Sequence, residues 1–121
     1  MRIYCMRHGE AQQAAEDKIR PLSEQGVQDV KRVANFLHET GVHIPHIIHS
    51  PRLRAKQTAE IMGLHLAAEK IVECPHGLDA EDSVDDMVIQ INSWQTDTLL
   101  VGHMPFMEHL VAEILTGDRC R

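Results

Sequence analysis

The segment Ile3-Tyr4-Cys5-Met6-Arg7-His8-Gly9 places an arginine and a histidine directly after a short apolar run that is typical of a buried strand. Open α/β sheets bind ligands at the carboxyl ends of their strands. An imidazole can act as a nucleophile toward phosphorus, and a guanidinium offers a planar fork of donors to the surrounding oxygens. Gly9 lets the backbone turn and come close to a ligand. The segment therefore predicts a strand that ends in a functional site.

The rest of the chain alternates strand-like runs with helical periodicity. Strand-like runs lie at 3–6, 44–49, 70–73 and 98–101. The apolar helical stripes between and after them are Val27, Val30, Ala34 and Leu37; Ala55, Thr58, Ala59 and Met62; Val84, Met87, Val88, Ile91 and Trp94; and Met107, Leu110, Val111 and Ile114. This alternation is typical of βαβ units. We therefore expect an α/β fold, a three-layer α/β/α sandwich with a mainly parallel sheet.

The ends of two helices carry local signals. Ser23 suits the N-cap of the first helix, and Gly41 suits its end. Ser50 and Pro51 suit the N-cap and first position of the second helix. With 121 residues and no internal repeat or linker, the chain is expected to be a single domain, residues 1–121.

Composition excludes several classes of function. A formal net charge of −6 argues against binding to nucleic acid or to an anionic membrane surface, and an aromatic content of 3% offers few platforms for stacking bases. No apolar stretch approaches the roughly 18 residues that span a bilayer. The start of the chain leads at once into the first strand without a secretory signal, so the cytoplasm is the expected location. Any bound anion must be held by a local cluster of charge.

Cysteine and histidine spacing gives no metal signal. Cys5, Cys74 and Cys120 form no C-x-x-C pair, which argues against a disulfide framework or a thiolate zinc site. The evenly spaced residues His43, His46 and His49 fit neither one strand face nor one helix face. We expect no metal and no cofactor.

Polar residues of related type follow the predicted strands. They are Arg7-His8-Gly9, Ser50-Pro51-Arg52-Leu53-Arg54 and Gly102-His103. Parallel strands end at the same edge of a sheet, so these groups can converge, and a phosphoryl group is their natural partner. Plainer interpretations exist: Arg7 as a surface residue, His8 as a loop histidine, His103 as a cap of the next helix. One of Arg52 and Arg54 is expected to be an ordinary solvated helix residue.

Three motifs carry a resemblance to a known family. Arg7-His8-Gly9 after a strand, Ser50-Pro51-x-x-Arg54-Ala55-x-Gln57-Thr58-Ala59 and a late Gly102-His103 resemble the histidine phosphatase superfamily, which includes the phosphoglycerate mutases. Within it, the segments Met6–Ala11, Arg20-Pro21-Leu22-Ser23-x-x-Gly26 and Leu100–Pro105 are most similar to the SixA-like phosphohistidine phosphatases. The resemblance covers nearly the whole chain.

This resemblance implies a role for each matching residue. His8 would attack phosphorus and become transiently phosphorylated, and water would then release phosphate. Arg7, Arg54 and His103 would hold the phosphoryl oxygens, with Gly9 beside them and Arg20 as a further contact. Arg52 falls where the motif varies and is interpreted as a surface residue. Because the nucleophile must be a neutral imidazole, its other nitrogen needs an acceptor, and we expect a nearby backbone carbonyl.

A general acid is not evident from the sequence. Glu10, Asp79, Glu81 and Asp82 are the carboxylates available near the predicted site, and none stands out. A phosphohistidine substrate barely needs an acid, because imidazole leaves as a neutral group. The expected activity is therefore a metal-independent protein phosphohistidine phosphatase acting on a partner such as a histidine phosphotransfer domain. The alternatives are a small-molecule phosphomonoesterase or mutase of the same superfamily and a catalytically idle phosphate-binding module.

The end of the chain departs from the resemblance. Similar chains usually continue beyond the last helix with another strand or more, whereas this one stops at Asp118-Arg119-Cys120-Arg121. The sheet is therefore expected to be shortened at this end, with an apolar edge that a partner chain covers or that the domain has trimmed. A monomer or weak dimer is expected.

Overall fold

Parallel strands in the order β1-β4-β2-β3 form the sheet of this computed structural model, which describes residues 1–13 and 16–116. The strands are β1 (Ile3–Arg7), β2 (His46–His49), β3 (Lys70–Glu73) and β4 (Thr98–Gly102). The helices are α1 (Glu24–Glu39), α2 (Leu53–Leu66), α3 (Asp85–Asn92) and α4 (Phe106–Thr116), and a 3₁₀ turn spans Asp17–Ile19. The predicted alternation of strands and helices is confirmed.

Helices cover both faces of the sheet. Side chains of α1 and α2, such as Val30 and Ala59, form one core with the sheet, and side chains of α3 and α4, such as Met87 and Leu110, form the other. β4 lies between β1 and β2 and is buried at every residue, which explains its continuous apolar sequence. The predicted three-layer α/β/α class is confirmed.

The predicted helix starts have different outcomes. Ser23 caps α1 as expected, since its side chain accepts the Gly26 N–H at 2.9 Å, a contact of about 1 kcal/mol. The N-cap prediction for Ser50 is wrong, because α2 begins at Leu53 with Arg52 as its cap residue. The side chain of Ser50 instead contacts His103, the residue after β4.

The turn after β1 packs tightly against α1. The Ser23 N–H donates to the carbonyl of Glu10 at 2.8 Å. A Cβ on Gly26 would lie 2.1 Å from the same carbonyl oxygen, and a Cβ on Gly9 would lie 2.8 Å from Val30 Cγ2. Only glycine permits this approach at both positions, so Gly9 serves packing as well as lining a cleft.

Cys5 and Cys74 are free thiols, and burial raises the pKa of both. Cys120, and with it the end of the chain that prompted the expectation of a shortened sheet, lies outside the described residues.

Among the described helices, none has the length and apolar character that crossing a membrane requires.

Candidate active site

The ends of three adjacent strands bring the predicted residues to one edge of the sheet. His8 follows β1, His103 follows β4, and Arg54 lies in the first turn of α2, just after β2. The backbone N–H of His8 donates to the Gly102 carbonyl at 3.1 Å, which ties the ends of β1 and β4 together. A cleft of about 570 Å³ and a smaller one of about 180 Å³ open here, and both are lined by Arg7, His8 and Arg54.

His8 is held in one tautomer. Its Nδ1 lies 2.7 Å from the carbonyl oxygen of Gly9, so Nδ1 carries the proton and donates it. Its Nε2 accepts from Arg54 Nε at 3.2 Å, which shows that the Nε2 lone pair is free of a proton. Burial lowers the pKa of His8, and the charges of Arg54, Arg7 and Arg20 lower it further against the opposing Gly9 contact. The ring is therefore a neutral base with Nε2 turned to the cleft.

Arg54 is buried, and each of its three side-chain nitrogens donates a hydrogen bond. Its Nη1 donates to the backbone carbonyl of Asp17 at 2.8 Å, and its Nη2 donates to the Asp17 carboxylate at 3.2 Å. Because both terminal nitrogens are fixed by one residue, the Nε edge of the guanidinium is aimed at His8. The orientation of this arginine is thus set by the 3₁₀ turn that follows β1.

Asp17 is a site residue that the sequence analysis missed. Its carboxylate accepts from Arg20 at 3.2 Å as well as from Arg52 and Arg54. Slight desolvation raises the pKa of Asp17, and the hydrogen bonds from Arg54 and Arg20 outweigh it, so the pKa lies below its ordinary value. An ionised carboxylate therefore holds these guanidiniums together beside the cleft.

The interpretation of Arg52 as a surface residue is wrong. Its side chain is 21% exposed, lines the smaller cleft and donates to Asp17 on one side and to Asp79 Oδ1 at 3.1 Å on the other. Arg52 therefore joins the segment after β1 to the segment before α3 across the mouth of the cleft.

His103 is buried, with 4% of its surface exposed, and its ring centre lies 4.9 Å from that of His8. Its Nε2 lies 2.6 Å from Ser50 Oγ. The pKa of His103 is lowered to about 4, first by burial, then by repulsion between the protonated forms of His103 and His8 and by the charges of Arg54 and Arg52, against the opposing charge of Asp79. The second histidine is thus neutral at pH 7.

Arg7 and Arg20 complete the positive lining. Arg7 is exposed at the end of β1 and borders both clefts. Arg20 lines the larger cleft, and its Nε donates to the Gln12 carbonyl at 2.8 Å. Both residues lie where a bound oxyanion can reach them.

Two further residues of the middle motif fix the segment after β1. The Gly9 N–H donates to Thr58 Oγ1 at 3.1 Å, and the Leu22 N–H donates to Gln57 Oε1 at 2.7 Å. Side chains of α2 therefore hold the chain at Gly9, next to His8, and at Leu22, beyond Asp17.

The predicted carboxylates have different placements. Asp79 is paired with Arg52, and Asp82 accepts the Asp79 N–H at 2.9 Å. Glu10 lines the larger cleft, whereas Glu81 is exposed. Within residues 1–13 and 16–116, no group of histidine, cysteine and carboxylate side chains is arranged to hold a metal ion.

Residues 3–76 match the histidine phosphatase superfamily (branch 1). The chain is 33% identical over 123 residues to the phosphohistidine phosphatase SixA of Escherichia coli strain K12, an alignment that covers 98% of this chain and 76% of that protein.

Solved structures show the same likeness. The structure of the protein histidine phosphatase SixA complexed with tungstate matches with a TM-score of 0.86 at 33% identity, over 93% of this chain and 76% of that one. A phosphoglycerate mutase from Plasmodium falciparum matches with a TM-score of 0.69 at 18% identity, over 94% of this chain and 68% of that one, a likeness of fold alone.

Proposed function

The chain belongs to the histidine phosphatase superfamily (branch 1), and from this premise we propose that it removes phosphate from a protein histidine through a phosphoryl group carried on Nε2 of His8. Membership of the superfamily and the similarity to SixA make the chain a phosphatase, a hydrolase. The proposal adds the substrate, the intermediate and the residue roles.

The orientation of the His8 ring is the observation that carries the proposal. The Gly9 carbonyl, 2.7 Å from Nδ1, keeps the proton on that nitrogen and leaves Nε2 unprotonated. In the resting chain Arg54 Nε donates to the Nε2 lone pair at 3.2 Å, so the contact gives way to the phosphoryl group when the ring attacks. A ring fixed in this way needs no proton transfer before it attacks.

In the first step, His8 Nε2 attacks phosphorus and a new P–N bond forms as the P–N bond to the substrate imidazole breaks. The leaving ring keeps the bonding electron pair and departs as neutral imidazole when its other nitrogen is protonated. Arg54, Arg7 and His103 hold the equatorial oxygens as charge builds on them, and Arg20 adds a further positive charge.

In the second step, water attacks the phosphoryl group on His8. The P–N bond breaks, its electron pair returns to Nε2, and the water proton leaves with inorganic phosphate or solvent. The Gly9 carbonyl holds the Nδ1 proton throughout, so the ring returns to its starting tautomer.

Two carboxylates that are paired with arginines beside the cleft, Asp17 and Asp79, favour phosphohistidine over a phosphoester of an alcohol. An alkoxide is a poor leaving group and needs a protonated acid. Asp17 is engaged by guanidiniums that keep its pKa low, and Asp79 accepts a hydrogen bond from Arg52. Both carboxylates are thus occupied by arginines, and imidazole is a leaving group that needs no acid from the protein. The Escherichia coli relative is a phosphohistidine phosphatase, which supports the same substrate class.

Trapping the intermediate tests the proposal. A histidine phosphotransfer domain carrying ³²P-phosphohistidine is mixed with the chain and quenched in alkali, which preserves phosphohistidine. We expect label on the wild-type chain and on His38→Ala, a control on the exposed last turn of α1, and none on His8→Ala. Label on His8→Ala, or rapid hydrolysis of an alkyl phosphate in place of phosphohistidine, would contradict the proposal.

A further inference from the structure

Ser50 is a buried polar residue of the site to which the proposed mechanism gives no role. It follows β2, is 0% exposed, and does not cap α2. Its hydroxyl is 2.6 Å from His103 Nε2 and accepts a hydrogen bond from the backbone N–H of Arg52 at 3.3 Å. Its own N–H donates to the Val101 carbonyl at 3.1 Å, which fixes the Ser50 backbone against β4. The hydroxyl is thus placed between two strand ends.

The hydrogen-bond inventory decides the direction of the contact. A serine hydroxyl has one proton to donate and accepts through its lone pairs. Arg52 N–H already donates into Ser50 Oγ, so a second donor at His103 Nε2 would leave the serine proton without an acceptor among the described residues. A buried donor left unsatisfied costs about 1–3 kcal/mol. The hydroxyl therefore donates to Nε2.

A neutral imidazole with its Nε2 lone pair occupied carries its proton on Nδ1. Among the described residues, His103 Nδ1 has no hydrogen-bond partner, and the ring lines the smaller cleft next to His8. The Nδ1–H group is therefore the ring's available donor. His8, Arg54, Arg52 and Asp79 are the ionisable groups that act on this ring.

We propose that Ser50 is a positioning residue: by donating to Nε2 it keeps His103 in the Nδ1-protonated tautomer, so that the ring offers an N–H to an oxygen of the phosphoryl group. The tautomer of His103 follows from the hydrogen bonds of the chain without substrate. Its role in catalysis rests on the proposed function.

The tautomer is read by long-range ¹H–¹⁵N NMR on the full chain labelled in its histidines, with the His103 signals assigned by their loss in His103→Gln. In the wild type we expect His103 protonated at Nδ1. In Ser50→Ala we expect the Nδ1-protonated fraction to fall, while His8, held by Gly9, stays unchanged. Ser93→Ala, which removes a hydroxyl at the exposed end of α3, is the control. A wild-type His103 protonated at Nε2, or an unchanged ring in Ser50→Ala, would overturn the proposal.

Kinetics test the link to catalysis. We expect Ser50→Ala to lower kcat on the order of tenfold, with the Kd of inorganic phosphate changed less. Ser50→Cys keeps the shape with a weaker donor and should restore part of the loss, and it replaces Ser50→Ala in the NMR comparison should the alanine variant fail to fold. A shifted tautomer with unchanged kcat would overturn the catalytic role. A wild-type chain without phosphatase activity toward phosphohistidine would overturn the proposed function while leaving the tautomer result intact.

Discussion

The ends of β1 and β4 each present a histidine to the same cleft, and the partners of the two rings differ. At the end of β1, the Nδ1–H of His8 donates to a backbone carbonyl, and the unprotonated Nε2 accepts from Arg54. At the end of β4, the Ser50 hydroxyl occupies Nε2 of His103 and leaves an N–H at Nδ1. The two rings share one tautomer, yet one offers a lone pair and the other a proton. The nitrogen that is left for the phosphoryl group, an unprotonated Nε2 in His8 and a protonated Nδ1 in His103, therefore decides whether the histidine acts as a nucleophile or as a donor.

The largest expected effect separates these two roles. His8→Gln removes the nucleophile and should lower kcat by at least about 10³-fold, whereas His103→Gln removes one donor and should cost about 10²-fold. Rapid-quench kinetics with a phosphohistidine protein measures both. Equal losses in the two variants, or a labelled intermediate in His8→Gln, would break the comparison.

Of the two histidine rings, Arg54 donates a hydrogen bond to His8 and not to His103, so its replacement should affect His8 alone. Arg54→Lys keeps a positive charge but loses the planar fork that reaches both Asp17 and His8, and kcat should fall about 10²-fold. The His103 tautomer should not change in NMR. Arg32→Lys, at a surface pair in α1, is the matched control. Activity of Arg54→Lys within about threefold of the control would contradict this role.

Local pattern predicts most of the fold and the first contacts of the site. Each strand end follows an apolar run, and Ala55, Thr58, Ala59 and Met62 are buried as their helical spacing indicates. Parallel strands then bring His8 and His103 together without any knowledge of the loops. The periodicity of apolar residues is a local property of the sequence, and the alignment of parallel strand ends is a general property of such sheets. Both can therefore be predicted from a single sequence.

The contacts that orient the site escape sequence reasoning because they join residues far apart in the chain. Asp17 meets Arg54 across 37 residues, and Ser50 meets His103 across 53. Asp17 lies in a polar segment without periodicity, and Ser50 has a sequence context that equally suits a helix cap. Only the folded chain shows that both side chains are used by the cleft.

Acidification should act on stability through the buried ring at the end of β4. Above about pH 6.5, His103 is neutral in both the folded and the unfolded chain. Below about pH 6.5, His103 is protonated in the unfolded chain but stays neutral in the folded chain, where its pKa is about 4. The free energy of unfolding should therefore fall by up to about 3 kcal/mol between about pH 6.5 and pH 4. The lowered pKa of His8 acts in the same direction.

Urea unfolding of the wild type and His103→Gln at several pH values measures this effect. The difference in unfolding free energy between the two should shrink as pH falls through this range, whereas His38→Gln, on the exposed end of α1, should follow the wild type. A pH-independent difference would show that His103 accepts its proton in the folded state as readily as in the unfolded one.

The smallest expected effect tests whether Asp17 serves the His8 side alone. Asp17→Asn keeps the shape and an acceptor oxygen but removes the charge that holds Arg20, Arg52 and Arg54 together. Because Arg54 is then less firmly aimed at His8, kcat should fall roughly tenfold. Inorganic phosphate should bind a few-fold more tightly, since a competing anion beside the arginines is gone.

Comparing kcat with the Kd of inorganic phosphate distinguishes a loss of Arg54 orientation from a general disruption of the site. Asp29→Asn, which neutralises the surface pair with Arg32, is the matched control and should change neither quantity. A loss of phosphate affinity in Asp17→Asn that parallels the loss of kcat would mean that the carboxylate builds the anion site as a whole. A drop in kcat with tighter phosphate binding would mean that Asp17 sets the direction of Arg54, and the His103 ring should then keep its tautomer, because its contact with Ser50 involves none of these charges.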